Sequence, residues 1–236
     1  MLNTEVLGLS ANRLLALLPH VDAERLAPAL TVVSLDVGVV LNEPNEEPER
    51  VYFPQTGMIS LLAIMADGKG VETATVGREG VVGAMAGLGL HLPLTRAVVQ
   101  TPLVVSRIAA APFRRAVQAS PALRDIIVRY NDVLLGQVQV TAACNALHPI
   151  QKRLARWILQ TRDRIDTDMV PLTQELLSEM LGVRRSSVSE IARRLQTAGL
   201  IRYSRGTIEI VNRRALEAAA CECYGVIRNQ AERMQA

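Results

Sequence analysis

The stretch Leu172-Thr-Gln-Glu-Leu-Leu-Ser-Glu-Met-Leu-Gly-Val-Arg-Arg-Ser-Ser-Val-Ser-Glu-Ile-Ala-Arg-Arg-Leu-Gln-Thr-Ala-Gly-Leu-Ile201 decides the fold. Thr173 is a candidate N-cap, and Glu175 suits the positive end of the helix it opens. Leu176, Leu177, Met180 and Leu181 give that helix an apolar face. Gly182 supplies a tight turn. A second helix is predicted from about 184 to 198, ending at Gly199, where glycine tolerates the left-handed cap conformation. Two helices joined by a short glycine-containing turn form a helix-turn-helix.

The second helix sorts by face. Val188, Ile191, Ala192 and Leu195 recur at i, i+3, i+4 and i+7 and point inward. Arg185, Ser186, Ser189, Glu190 and Arg193 fall on the opposite side. Small hydroxyls flanked by long polar side chains suit the major groove, where the first turns of a recognition helix meet base edges. Arg185 can fork onto guanine O6 and N7, and Glu190 can accept from the cytosine amino group. Ser186 and Ser189 can reach bases or phosphates. A solvated amphipathic helix would also have a polar outer face. Charge decides against it: residues 184–194 hold four arginines against Glu190, a net +3 in eleven residues.

Downstream, 200–203, a turn at Ser204-Arg205-Gly206 and 207–211 read as a β-hairpin, which makes the motif a winged helix. Arg202 and Arg205 put positive charge near the expected phosphate backbone. The candidate DNA-binding set is therefore Thr173, Arg184, Arg185, Ser186, Ser187, Ser189, Glu190, Arg193, Arg202 and Arg205. Residues 213–234 read as one closing helix without a readable role.

Upstream, His148-Pro149 breaks a long helix that opens at Pro121. Residues 150–164 then form an amphipathic helix, with Leu154, Trp157, Ile158 and Ile165 toward a core and a polar link at 166–168. In the long helix, Leu123, Ile126 or Ile127, Tyr130, Val133 or Leu134, Val138, Thr141, Cys144 and Leu147 run close to a 3–4 alternation, with Leu123, Ile127, Tyr130, Leu134, Val138 and Thr141 as the candidate dimer positions. A coiled-coil seam and a core-facing stripe both produce it. A helix this long after a compact domain has little of its own to lie against, which favours a seam with a second copy and a two-fold dimer. Further upstream, runs rich in Val, Ile and Thr at 31–35, 39–41, 50–53, 58–64, 71–76 and 97–108 alternate with turn signals. One of these is a hairpin turn at Asp67-Gly68. Strands at this spacing predict a β sandwich or barrel. Residues 12–18 and 22–30 read as short helices before it, and 112–119 as one after it.

Composition agrees. The 236 residues are 49% hydrophobic and 21% charged, which excludes a disordered or collagen-like chain. The net charge of +3 hides an asymmetry: residues 1–148 hold 11 basic and 13 acidic residues, net −2, and 149–236 hold 15 and 10, net +5. A change of sign suggests separate tasks, one with a polyanion. Only Lys69 and Lys152 are lysine; the other 24 basic residues are arginine, whose fork suits phosphate. Base composition of a genome also produces such a bias.

Residues 1–10 carry Glu5 and lack a basic start, so no signal peptide is expected. The uncharged segments 80–95 and 133–151 are broken by glycine, proline or polar residues, unlike a membrane span. The chain is expected to be cytoplasmic. Three cysteines, Cys144, Cys221 and Cys223, argue against a disulfide framework. Cys221-Glu222-Cys223 has no second pair, and His20, His91 and His148 are far apart, so no metal site of the usual zinc spacing is visible and no cofactor is predicted. Ordinary structural thiols are the favoured reading; a redox or metal role for Cys221 and Cys223 is the alternative. No nucleophile–base pair, phosphate loop or metal motif points to an enzyme, and Arg78-Glu79 reads as a surface pair.

The 172–201 stretch resembles the helix-turn-helix of the Crp/Fnr family of bacterial transcription regulators. Arg153-Leu-Ala-Arg-Trp157 supports the resemblance, as do Val51-Tyr-Phe53, Gly57 and Gly77-Arg-Glu-Gly80 in the β-rich part. It implies an α+β chain: a double-stranded β-helix (jelly-roll-like) sensor domain over 1–120, a dimerisation helix over 121–148 and a winged helix-turn-helix DNA-binding domain over 149–236. It also implies a homodimer on near-palindromic double-stranded DNA, RNA polymerase as a further partner, and a small-molecule effector. The family's base-reading positions fall on Arg185, Ser186 and Glu190. Only Arg185 keeps the usual residue type, since Ser186 stands where relatives have Glu and Glu190 where they often have Arg. Arg184 occupies a frequent capping-Ser position.

The sensor departs further. Cyclic-nucleotide-binding members hold the cyclic phosphate with Gly-Glu and then Arg-Ser or Arg-Thr. Here Gly83 is followed by Ala84, and the second position falls near Pro93-Leu94. Arg96 reaches it only by a register shift. A buried cyclic phosphate needs a paired cation, so an effector other than cyclic AMP is expected. The candidate pocket residues are Val82, Ala84, Met85, Leu92 and Arg96, with Leu88, Leu90 and Leu94 as further apolar lining. A collapsed core without ligand and an apolar effector both fit. No cysteine precedes Cys144, unlike the iron–sulfur members, and His91 reads as a loop residue rather than a haem ligand. The remaining alternative is a ligand-sensing or scaffolding module whose winged helix binds protein.

Overall fold

A computed structural model describes residues 9–89, 92–204 and 206–234. Leu90, His91, Arg205 and most of the 1–10 segment lie outside the described residues. The chain forms two compact units. One holds the residues up to Leu61, Thr75–Leu135 and those from Ala231; the other holds Leu62–Ala74 and Gly136–Gln230.

The β-branched runs form strands where expected: β1 Thr31–Leu35, β2 Val40–Asn42, β3 Arg50–Thr56, β4 Ile59–Ile64 and β5 Gly70–Val76. The Asp67-Gly68 turn closes β4 on β5, with the Met65 N–H donating to the Lys69 carbonyl at 2.8 Å. The run predicted at 97–108 is two strands, β6 Arg96–Val99 and β7 Leu103–Ala109. Pro102 has no N–H to continue a ladder. Gln100 and Thr101 turn their N–H groups to the Met58 carbonyl, and the Thr101 hydroxyl accepts from Met58 N–H at 2.8 Å.

The strand orders are β1-β7-β3 and β2-β6-β4-β5, so apart from the β4–β5 hairpin the sheets pair strands that are not consecutive in sequence. β7 runs antiparallel to both neighbours, with Thr31 opposite Arg107 and Arg50 opposite Ala109. This is a jelly-roll-like β domain. Phe53 and Phe113 meet edge-on in its core, ring centroids 5.9 Å apart. Before it, 12–18 contains only a 3₁₀ turn, Leu15–Leu17. The buried Asn12 side chain sets that turn, donating to the Pro54 and Gly80 carbonyls and accepting from Leu14 and Leu15 N–H. Helix α1, His20–Leu26, ends in another 3₁₀ turn at Pro28.

Helix α2, Ala110–Ala119, leads into α3, Pro121–Leu147. The 3–4 stripe of α3 has a different meaning from the one expected. Leu123, Ile127 and Tyr130 are buried in the core of their own chain, together with Ile126. A Cβ at Gly80 would overlap the Tyr130 ring, so glycine there admits the helix to the β domain. Thr141 is also buried, while Leu134 and Val138 are half-buried. The large apolar side chains that α3 leaves exposed in this stretch are Val128 and Leu135, seven residues apart and 52% and 51% exposed. The spacing rule does not distinguish the two stripes, because core packing and a coiled-coil seam share one period.

In the second unit follow α4 Ile150–Ile165, β8 Met169–Pro171, α5 Gln174–Leu181, α6 Arg185–Thr197, β9 Ile201–Ser204, β10 Thr207–Ile210, α7 Arg213–Ala219 and α8 Cys223–Arg233. The sheet order is β8-β10-β9. The three-residue β8 follows directly on the polar link and is too short to show a period. The single closing helix expected at 213–234 is two, because the chain leaves α7 at Ala220 in an extended conformation. Helix α4 is buried around nearly its whole surface: Leu154, Ala155, Trp157, Ile158 and Leu159 are joined by Arg153, Arg156 and Gln160. Its Trp157 Nε1 donates to the buried Glu72 carboxylate at 2.7 Å. No helix among the described residues is long and apolar enough to cross a membrane.

Candidate nucleic-acid interface

Helix α5 starts as its sequence dictates. The Thr173 hydroxyl accepts from Leu176 N–H at 3.2 Å and caps the helix. Such a cap contributes about 1 kcal/mol. Gly182, at φ +63, ends it in the left-handed conformation. Leu177, Met180 and Leu181 are buried below the turn, and Val188, Ala192 and Leu195 of α6 are buried against them, while Ile191 is half-buried. That packing fixes which face of α6 is free.

The free face carries Arg184, Arg185, Ser186, Glu190 and Arg193, all exposed, with Ser187 half-buried. Among the described residues, Arg184, Arg185 and Arg193 make no ion pair, so three cations stand uncompensated at the first turns and one side of the helix. Arg184 is the N-cap residue and makes no side-chain cap, leaving its guanidinium to solvent. Two expected contacts are already engaged within the chain. Ser189 Oγ donates to Gln174 Oε1 at 2.6 Å and lies 3.0 Å from the Arg185 carbonyl, so it ties α6 to α5. Glu190 pairs with Arg194 one turn on. In the wing, Arg202 pairs with Glu209, its directly opposed partner across β9 and β10. Arg205 lies outside the described residues.

Some supporting residues carry no sequence signal. Gln196 Oε1 accepts from Tyr203 N–H at 2.8 Å and joins α6 to the wing. Asp163 accepts from Tyr224 Oη at 2.6 Å and from Arg213 at 2.9 Å, holding α7 and α8 to α4. Burial, then the Asp163 hydrogen bond, pushes the Tyr224 hydroxyl up to about 12, and Arg213 is held above its ordinary value. These pairings join residues 50 and 61 positions apart, which no local pattern reveals.

The β domain contains a cavity of about 150 Å³ lined by Leu61, Val82, Ala84, Met85, Pro93, Leu94, Ile127 and Tyr130, among others. Of the expected pocket residues, Val82, Ala84 and Met85 line it. Leu92 does not; it is 51% exposed. Arg96 does not either, because its Nε is engaged by Glu43 at 2.9 Å outside the cavity. Leu88 is exposed as well. Among the described residues no charged side chain lines the cavity, although Asn42, Thr95 and Asn131 offer hydrogen bonds. Linear spacing shows no metal cluster, yet the fold brings Cys144, His148, Cys221 and Cys223 together in the second unit.

Comparison with known proteins follows the same two parts. The model of the Crp-like helix-turn-helix domain matches residues 152–219, and that of the cyclic nucleotide-binding domain matches residues 32–120. FixK2 from Bradyrhizobium japonicum superposes with a TM-score of 0.68 at 18% identity, over 81% of this chain and 98% of that one. CLP from Xanthomonas campestris, a c-di-GMP responsive global regulator, gives 0.67 at 15% identity over 82% and 100%. A CRP-family transcriptional regulator from Thermus thermophilus gives 0.67 at 21% identity over 80% and 96%. No curated protein matches the sequence. A cyclic-nucleotide-binding-type β domain followed by a Crp-like helix-turn-helix defines a DNA-binding transcription regulator. The chain belongs to the Crp/Fnr family of such regulators.

Proposed function

We propose that the chain acts as a homodimer that binds a near-palindromic operator, with α6 of each copy in a major groove. Two such helices reach successive grooves when about 34 Å apart. The observation that carries this reading is the uncompensated Arg184, Arg185 and Arg193 on the one face of α6 that packing leaves free. Arg185 is the base-reading residue, forked onto guanine. Arg184 and Arg193 neutralise phosphates. Ser186 and Ser187 supply short-range hydrogen bonds at the helix start. Ser189 and Thr173 position the helices, because their hydroxyls are already committed. The dimer seam runs through Val128 and Leu135, two apolar positions of α3 one heptad apart that its own chain leaves exposed, as it does Leu147 at the helix end.

The effector is neutral or largely apolar. Among the described residues the cavity offers amide and hydroxyl groups but no cation, and a cyclic phosphate buried without one carries a large desolvation penalty. No cofactor is assigned to this pocket, and RNA polymerase is a further partner. The test is a selection of genomic fragments followed by anisotropy titration at moderate salt. A sequence-selective complex of two chains per site supports the reading. Salt-insensitive or wholly unselective binding overturns it. Micromolar binding of cyclic AMP by calorimetry overturns the effector assignment alone.

A further inference from the structure

Three cysteines and one histidine that are scattered in sequence converge in the second unit. Cys144 lies in the last turn of α3. His148 follows four residues later, and its N–H still donates to the Cys144 carbonyl at 3.0 Å, so both side chains leave the same face. Cys221 comes from the break between α7 and α8, and Cys223 opens α8. The Cys144 and Cys221 sulfurs are 3.5 Å apart, Cys223 Sγ is 3.5 Å from His148 Nδ1, and all four ligand atoms lie within 4.8 Å of one another. Tetrahedral bonds of about 2.3 Å to sulfur and about 2.0–2.1 Å to nitrogen require S···S near roughly 3.8 Å and S···N near roughly 3.5 Å. The group has the size of one mononuclear ion.

The histidine is oriented for such an ion. Its Nε2 lies 3.1 Å from Glu222 Oε1. Donation of Nε2–H to that carboxylate leaves the Nδ1 lone pair facing the sulfurs, the arrangement that second-shell carboxylates impose on metal-bound histidines. Charge supplies an independent observation. Arg153 and Arg156 are only 6% and 3% exposed, and the Nε of each lacks a hydrogen-bond partner. Neither has a carboxylate partner among the described residues. Their other nitrogens donate to neutral acceptors, the Leu181 carbonyl and Gln160 Oε1, so the two positive charges have no counter-ion there, and a buried anion would compensate them. Three thiolates and a neutral imidazole around a divalent cation carry a net charge of −1.

We propose that Cys144, His148, Cys221 and Cys223 form a Cys₃His site for a single zinc ion. Thiolate and imidazole ligands in a tetrahedron select zinc over the hard cations. The ion replaces the thiol protons, which leave to water, and no electron is transferred. Thiolate ligands must be deprotonated, so metal binding releases protons and is weaker at low pH. Bound zinc joins the end of α3 to the start of α8, across the break that divides the closing helix. The site is independent of the DNA-binding reading.

The test uses the full chain, purified with a non-thiol reductant from zinc-supplemented cells. The expected result is one zinc per chain by elemental analysis. Cobalt substitution should give visible bands and thiolate charge transfer of a tetrahedral sulfur-rich site. Cys221→Ser combined with Cys223→Ser should abolish both signals. Because that variant can misfold, Glu222→Gln provides a second measurement at an exposed non-ligand. It should lower zinc affinity about 10- to 100-fold against a chromophoric chelator, with an unchanged circular dichroism spectrum. Four results overturn the proposal: substoichiometric metal at zinc excess, an unchanged content in the double variant, iron with acid-labile sulfide, or a Cys144–Cys221 disulfide in place of metal.

Discussion

Helices α4 and α6 are both rich in arginine and have opposite fates. Helix α4 carries Arg153, Arg156, Arg162 and Arg164; α6 carries Arg185, Arg193 and Arg194. In α4, three of the four arginines are buried, with Arg153 bonded to the Leu181 carbonyl and Arg156 to Gln160 Oε1 at 2.7 Å. In α6 all three are exposed. Arginine content alone therefore does not locate a DNA surface. The long methylene stem lets arginine serve as core filler when its head finds acceptors, and as a phosphate contact when it does not. One helix is packed on nearly every side, and the other keeps the exposed face that the proposed function assigns to DNA.

Substitutions in the two helices should separate stability from recognition. The largest effect is expected at Trp157 in α4, which is 1% exposed. Trp157→Ala should cost about 3–5 kcal/mol in chemical denaturation followed by circular dichroism. A loss under about 1 kcal/mol, the ordinary cost of a point substitution, would mean that the packing of α4 does not hold its unit together. Next, Arg185→Ala should leave stability within about 0.5 kcal/mol, yet lose about 1–3 kcal/mol of discrimination at one base pair per half-site. Equal weakening on every sequence would remove its base-reading role. Arg193→Ala should weaken all sequences alike and lower the salt slope of binding by about 1. A sequence-dependent loss there would move Arg193 from the phosphates to the bases. The smallest effect is expected from Glu190→Gln, whose exposed pair with Arg194 contributes about 0.3–0.5 kcal/mol. A large change in operator preference in this variant would show that Glu190 leaves Arg194 to read a base.

Legibility followed the range of the interaction. The N-cap at Thr173, the left-handed Gly182 and the i, i+3, i+4 face of Val188, Ala192 and Leu195 are local, and the structure shows them where the sequence puts them. The strands of the β domain are visible for the same reason. Ser189 and Arg96 depart from expectation because each is engaged by a residue far along the chain, Gln174 and Glu43 respectively. The α3 stripe is ambiguous because a period carries no information about which surface covers it. The thiol cluster escapes a sequence reading because its members are up to 79 positions apart, from Cys144 to Cys223.

Periodicity, caps and turns are properties of a few consecutive residues, so the sequence by itself determined the order of β domain, long helix and winged helix, and the polar face of α6. Covering surfaces and long-range partners exist only once the chain is packed. The tertiary structure alone therefore decided that Leu123, Ile127 and Tyr130 belong to the chain's own core, that Val128 and Leu135 stay uncovered, and that the cavity of the β domain lacks a cation among the described residues. It alone joined Cys144 and His148 to Cys221 and Cys223, because two helix ends must meet before their side chains can share an ion.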